Sequence, residues 1–223
     1  MDNLELKWPR KMSYSAFSLE MARKKFRLTY SLAPVLEDAA PMPASEFLLT
    51  ALRRAADLAV ISEKARGEFI VAPILLEARE ILNHAISIYS GVRFDVAPAE
   101  GLQGICDFII TRTPPFPMVQ APILVMVEAK RNIVEDGLGQ CAAEMVAAQR
   151  LNQEESSEQQ SIYGCVTTGE IWQFLRLTGQ ELMIDPVKLY IEHIDRILGI
   201  LVKIAAPTTS QPLASAPRLG GKR

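Results

Sequence analysis

The sequence predicts an α/β protein in which a mixed central sheet is flanked by helices. Apolar residues recur at helical spacing through the N-terminal third, and the middle of the chain changes to the two-residue alternation of strands. Residues 123–127 are all apolar, which is typical of a strand that is covered on both faces at the centre of an α/β sheet. Helical spacing then returns. The expected order is helices, then β-β-β-α-β-β, a short strand and a final helix.

We expect residues 1–61 to form a mainly helical N-terminal extension. Helices are predicted at 18–27, where Ser18 is a candidate cap, and from Ser45 onward. A third helix is predicted at 62–82, and Pro73 must kink it or begin a new segment, because proline disrupts a helix interior.

The core is expected to span residues 62–206. Its predicted elements are strands at 86–96, 102–111 and 122–130, a helix at 137–151, strands at 162–167, 171–177 and 181–184, and a final helix from about residue 186. The strands on either side of Thr168 and Gly169 are joined by a short turn, so they should be antiparallel. Residues 207–223 are rich in Pro, Ser, Thr and Gly without periodicity, which predicts a disordered tail.

The composition narrows the class of protein. Of 223 residues, 49% are hydrophobic and 22% are charged, which excludes a disordered chain. We find no uncharged apolar run of bilayer length and no apolar secretion signal, and the three cysteines form no CxxC pair, so we expect a cytoplasmic protein with buried thiols. The net charge of −2 argues against electrostatic coating of nucleic acid, but not against an enzyme that meets nucleic acid in a local groove.

Several common active sites are excluded by the residues present. His84 and His193 are isolated from cysteines and acids, so neither a zinc site nor a Ser/His/Asp triad is expected. The chain has no P-loop. The pair Gly137 and Gly139 follows acidic residues and is poorly suited to hold a phosphate.

One group of charged residues favours hydrolytic chemistry. Glu128 and Lys130 lie two apart at the end of the third predicted strand, so their side chains share a face, and Asp107 lies on the preceding strand. If these strands pair as an antiparallel meander, Asp107 stands next to Glu128, and two adjacent carboxylates call for a cation between them. Mg²⁺ fits best, because it prefers carboxylate oxygen and keeps waters. Lys130 would stabilise a developing hydroxide or, if its pKa is lowered, act as a base, so the implied reaction is phosphodiester hydrolysis by a metal-activated water.

Asp107 followed by an apolar strand that ends in Glu128-x-Lys130 resembles the PD-(D/E)xK nuclease superfamily. The resemblance covers roughly residues 62–185 and is closest to proteins related to the N-terminal domains of type I restriction subunits, partly through the stretch 166–174. It implies a restriction-endonuclease-like core of order α-β-β-β-α-β, a Mg²⁺ cofactor that Mn²⁺ could replace, and DNA as the substrate. The sequence has no helicase or translocase segment, so any ATP-dependent activity would need a separate motor or restriction-system partner.

The resemblance implies two further groups of site residues. An acid on the helix before the first core strand would add a metal ligand, and Glu77 is favoured over Glu68 because it lies nearer the sheet. Gln140 matches a glutamine that some branches carry on the helix after the E-x-K strand, where it would orient a metal water or a phosphate. Four residues later those branches have a tyrosine, and this chain has Glu144.

Three interpretations stay open at this point. The leading one is a Mg²⁺-dependent nuclease-like protein acting on DNA, with Asp107, Glu128, Lys130 and Gln140 in the site. The alternative is a catalytically inactive nucleic-acid-binding or accessory protein of the same fold. The third is a self-associating structural protein; the apolar face of the last helix is expected to be core, with a homodimer contact as the alternative.

Overall fold

A mixed sheet forms the centre of the computed structural model, which describes residues 12–206; the predicted tail at 207–223 lies outside them. The helices are α1 (Leu19–Phe26), α2 (Glu46–Ala56), α3 (Glu63–Arg66), α4 (Ala72–Ile81), α5 (Leu138–Glu154) and α6 (Ile194–Ala205). The strands are β1 (Thr29–Leu32), β2 (Ser87–Arg93), β3 (Ile105–Thr111), β4 (Ile123–Ala129), β5 (Ser161–Thr167), β6 (Ile171–Thr178), β7 (Glu181–Ile184) and β8 (Leu189–Tyr190).

The strand order confirms the predicted fold class. Within the described residues the sheet has eight strands in the order β1-β7-β6-β5-β4-β3-β2, with β8 paired to β6. The β1–β7 and β4–β5 pairs are parallel and the other pairs are antiparallel, including β5–β6 across the turn at Thr168 and Gly169. The succession α4-β2-β3-β4-α5-β5 is the α-β-β-β-α-β order of a restriction-endonuclease-like core.

Every residue of β4 is buried, as its apolar run predicts. The strand contributes Met126 to one hydrophobic cluster, which includes α5, and Val125 and Val127 to another, which includes α4 and α6. Because β4 is covered on both faces and lies between β3 and β5, its C-terminal residues are held at a fixed place in the interior.

The N-terminal segment takes part in the core rather than packing as helices alone. Tyr14 and Phe17 are buried in the α5 cluster, and the hydroxyl of Tyr14 donates a 2.8 Å hydrogen bond to the carbonyl oxygen of Phe94. Residues 29–32, for which no element was predicted, form β1 beside β7. This edge strand is mostly exposed, so its sequence lacks the apolar alternation that would have predicted it. The boundary expected at residue 61 stays a prediction.

The helix predicted at 62–82 is divided by a π-helical turn at Gly67–Val71. Pro73 lies in the first turn of α4, directly after the π turn. The extra residue in a π turn changes the direction in which side chains before it point relative to those after it.

The start of the last helix was predicted wrongly. α6 begins at Ile194 rather than near residue 186, because the carboxylate of Asp185 accepts hydrogen bonds from the backbone N–H groups of Val35 and Val187 and holds a turn there. The next residues are extended as β8. The apolar face of α6 is buried as expected, in the same cluster as α4.

The cysteines and the lengths of the helices were also considered in the sequence. Cys106, Cys141 and Cys165 are free and buried, as predicted. In the region from residue 12 to 206, no helix is both long and apolar enough to cross a bilayer.

We expect Gly139→Ala to destabilise the protein, because a Cβ at this position would lie 2.3 Å from the carbonyl oxygen of Phe17 and 2.5 Å from the backbone nitrogen of Leu19. Overpacking against backbone costs about 1–3 kcal/mol, and urea denaturation measures the loss. Gly67→Ala is the matched control: its Cβ would make an ordinary 3.6 Å contact with the ring of Phe108. Equal stability of the two variants would contradict this packing.

Candidate functional site

Asp107 and Glu128 meet at the end of the β3–β4 pair, as the antiparallel meander predicted. The register places Phe108 opposite Val127, so that Asp107 is adjacent to the position of Glu128. Oδ2 of Asp107 accepts a 2.8 Å hydrogen bond from the backbone N–H of Ala129. This bond ties the side chain of Asp107 to the strand that carries Glu128.

Glu128 is almost completely buried, with 2% of its surface exposed. Its Oε1 accepts a 2.7 Å hydrogen bond from Nζ of Lys130, whereas its buried Oε2 has no hydrogen-bond partner in the described part of the chain. Burial and, after it, the charge of Asp107 raise the pKa of Glu128 to about 8, against the opposing effect of Lys130. A buried carboxyl group with one unpaired oxygen is costly, and a cation at that oxygen would remove the cost.

The pKa values of the two neighbouring groups are also shifted. Burial raises the pKa of Asp107, and the N–H of Ala129 and the charge of Lys130 oppose that rise. Burial acts to lower the pKa of Lys130, but the charge of Glu128 and its hydrogen bond act in the other direction, and the net shift is upward. Lys130 is therefore held as an ammonium ion, which favours charge stabilisation over the role of a general base.

Gln140 and Glu144 extend this cluster along α5. Oε1 of Gln140 accepts a 3.1 Å hydrogen bond from Nζ of Lys130, and Nε2 of Gln140 donates a 3.1 Å hydrogen bond to Oε1 of Glu144. Glu144 is fully buried, and burial, followed by the charge of Glu128, raises its pKa well above the ordinary range. Glu144 was not predicted as a site residue, because in the sequence it only departs from the family pattern. Its four-residue spacing from Gln140, which puts both on one helix face, was the signal for their contact.

Glu77 and Glu68 do not join the cluster. Both carboxylate oxygens of Glu77 are engaged by Ser45, one by its backbone N–H and one by its hydroxyl, each at 2.8 Å. Glu77 therefore stabilises the N-terminus of α2, where the Ser45 hydroxyl also caps the helix. Glu68 is an exposed residue that pairs with Lys64 at 3.7 Å.

The acid from this part of the chain that acts on the cluster is Glu63, in α3. Its negative charge acts to raise the pKa values of Asp107, Glu128 and Lys130. Glu63 lies before the π turn and was not among the acids predicted for the site, which were Glu77 and Glu68. An exposed acid in a first helical turn carries no sequence signal that separates it from an ordinary surface charge.

Gly137 makes room for the side chain of Lys130. A Cβ at Gly137 would lie 2.5 Å from Cγ1 of Val166 and 3.0 Å from Cγ of Lys130. The two glycines of the Gly137–Gly139 pair are thus explained by close packing, Gly137 against the Lys130 stem and Gly139 against the N-terminal segment.

The donor atoms fit a hard divalent cation held by two carboxylates. Across the residues that the structure covers, no group of three or more His, Cys, Asp or Glu side chains is arranged to hold a metal ion. Mg²⁺ is commonly bound by only one or two carboxylates, with water and substrate phosphate as its other ligands. Asp107 and the unpaired Oε2 of Glu128 are suitable for that mode.

Comparison with solved structures gives a likeness of fold, whereas comparison with protein families and curated proteins gives none. No protein-family model matches the chain, and no curated protein matches it. Among solved structures, the chain is similar to the type IIG restriction endonuclease BpuSI, with a TM-score of 0.41 and 18% sequence identity. The match covers 61% of this chain and 16% of that one. The assignment of the core therefore rests on the topology of this chain itself.

The buried carboxyl group of Glu128 should make stability depend on pH when divalent ions are removed by a chelator. The folded protein holds this proton up to about pH 8, whereas the unfolded chain releases it near the ordinary value of 4.5. The protonated Glu128 therefore adds its full contribution to the free energy of unfolding below pH 4.5. This contribution is lost as the pH rises from 4.5 through about 8. We expect the free energy of unfolding to fall more steeply over this range in the wild type than in Glu128→Gln. Parallel curves for the two proteins would contradict the burial of this group.

Proposed function

We propose that this protein is a Mg²⁺-dependent nuclease that hydrolyses phosphodiester bonds of DNA. The observation that carries the proposal is the convergence of two carboxyl groups and one ammonium group, with Oε2 of Glu128 buried and unpaired within the described chain. Asp107 and Glu128 would hold the cation, and Mn²⁺ could replace Mg²⁺ because it also accepts carboxylate oxygen.

The residues of the chain have distinct tasks in this proposal. A bound cation supplies positive charge beside the scissile phosphate and makes water a better nucleophile. Lys130, held as an ammonium ion beside Glu128, stabilises the negative charge that develops as the phosphodiester bond breaks. Gln140 contacts Lys130 rather than either carboxylate, so it acts by positioning that ammonium group.

The alternative is a catalytically inactive nucleic-acid-binding or accessory protein of the same fold. The observation that favours it is that no three metal-ligating side chains are grouped anywhere in residues 12–206. In this case Lys130 would serve only to neutralise Glu128. The two functions differ in whether Mg²⁺ binds and whether DNA is cut.

The proposal includes the localisation and the partners of the protein. We place the protein in the cytoplasm, where its free cysteines would remain reduced. DNA is the proposed partner, and a separate motor or restriction-system component would provide any ATP-dependent step. The proposal requires no homodimer, because Asp107, Glu128, Lys130 and Gln140 all come from one chain.

Cleavage of end-labelled duplex, single-stranded and branched DNA with and without Mg²⁺ tests the proposal. We expect cleavage that a chelator abolishes, and a higher melting temperature in Mg²⁺. Lys130→Met keeps the aliphatic stem and removes the charge, so it should lower kcat on the order of 100- to 1,000-fold while the fold survives.

Lys188→Met is the matched control, since Lys188 pairs with Glu135 outside the cluster. It should cleave as the wild type does. DNA binding without cleavage of any of the three substrates would instead support the accessory protein, and neither binding nor cleavage would contradict both.

A further inference from the structure

A chain of buried polar contacts links the proposed site to the interior of α5. Nζ of Lys130 donates to Oε1 of Glu128 at 2.7 Å and to Oε1 of Gln140 at 3.1 Å, and Nε2 of Gln140 donates to Oε1 of Glu144 at 3.1 Å. The proposed chemistry uses the first three residues and leaves Glu144 without a task.

The burial of Glu144 is unfavourable in free energy. It is fully buried in the α5 cluster of hydrophobic residues, and its Oε2 has no hydrogen-bond partner among residues 12–206. An apolar side chain of similar size would avoid the cost of burying a half-paired carboxyl group. Such local costs are most often found where a residue serves function rather than stability.

The contact of Glu144 with the side-chain amide of Gln140 suggests a task for Glu144. One end of the amide accepts hydrogen bonds and the other end donates them, and the two ends have nearly the same shape. Lys130 requires the accepting end, because an NH₂ group facing an ammonium ion would leave both donors unpaired. Glu144 offers a carboxyl oxygen to the NH₂ end and thereby selects the orientation in which the carbonyl oxygen of Gln140 faces Lys130.

We propose that Glu144 is a positioning residue, which holds the side-chain amide of Gln140 so that its oxygen orients the ammonium group of Lys130 for hydrolysis. The inference rests on the proposed function, which it deepens. With two of its three N–H donors directed to Glu128 and Gln140, Lys130 has the third free to point toward the reacting phosphate. Without Glu144, only the hydrogen bond from Lys130 would hold the amide, so the direction of that third N–H would be less well defined.

A double-mutant cycle in kcat tests this role. Gln140→Leu and Glu144→Leu should each lower kcat, by up to about 100-fold, because small misplacements of catalytic groups have effects of that size. The double variant should be no slower than Gln140→Leu alone, since Glu144 acts through Gln140. Glu144→Gln, whose carbonyl oxygen can accept the same hydrogen bond, should retain activity within a few-fold of the wild type.

Gln173→Leu provides a matched control for removing a buried amide. Gln173 is also buried and donates to the carbonyl oxygen of Asp185, away from the cluster, so its loss should leave kcat unchanged. Effects of Gln140→Leu and Glu144→Leu that multiply in the double variant would overturn the proposal, as would full activity of Glu144→Leu. A purely structural role would lower the melting temperature and act on kcat independently of Gln140.

An NMR measurement separates failure of this inference from failure of the proposed function. In the wild type, the side-chain NH₂ protons of Gln140 should exchange slowly with solvent, and in Glu144→Leu roughly tenfold faster, because their acceptor is gone. Unchanged exchange would show that Glu144 does not hold the amide, whether or not the protein cuts DNA. If exchange of the Gln140 NH₂ protons is faster in Glu144→Leu but the protein cuts no DNA, the contact between Gln140 and Glu144 is supported and its role in catalysis is contradicted.

Discussion

The burial of Glu128 beside Asp107 is the constraint on which the site depends. Two carboxyl groups in a poorly solvated place repel each other when ionised, and Lys130 compensates for only part of this, because Oε2 of Glu128 stays unpaired within the described residues. A protein selected for stability alone would gain from an apolar residue at this position. The proposed cation site between Asp107 and Glu128 would account for this costly arrangement.

The scaffold holds this unfavourable arrangement through close packing. β4 is buried along its whole length, including the end that carries Glu128. Gly137 leaves space for the stem of Lys130, and Gly139 lets the N-terminal segment close over α5. The N-terminal residues thus affect the site indirectly, by covering the helix that carries Gln140 and Glu144. The costs at the site are offset by this apolar packing.

The central part of the fold could be predicted from the sequence because its patterns are strong. The apolar run in β4 and the two-residue spacing of Glu128 and Lys130 led directly to the pairing with Asp107. The elements and site residues that were not predicted have weak sequence patterns. β1 is an exposed edge strand, and Glu63 is an exposed acid in the first turn of α3, so neither has a distinctive sequence pattern. The engagement of Glu77 by Ser45 is a tertiary contact, which local spacing cannot reveal.

The most direct test of the account is to locate a bound ion. Crystals grown with Mn²⁺ can be measured at a wavelength where manganese scatters anomalously. The account predicts one peak between the carboxylates of Asp107 and Glu128, and its loss in crystals of Glu128→Gln grown in the same way. A map of well-ordered side chains with no peak between these two residues would contradict the claim that they share a cation.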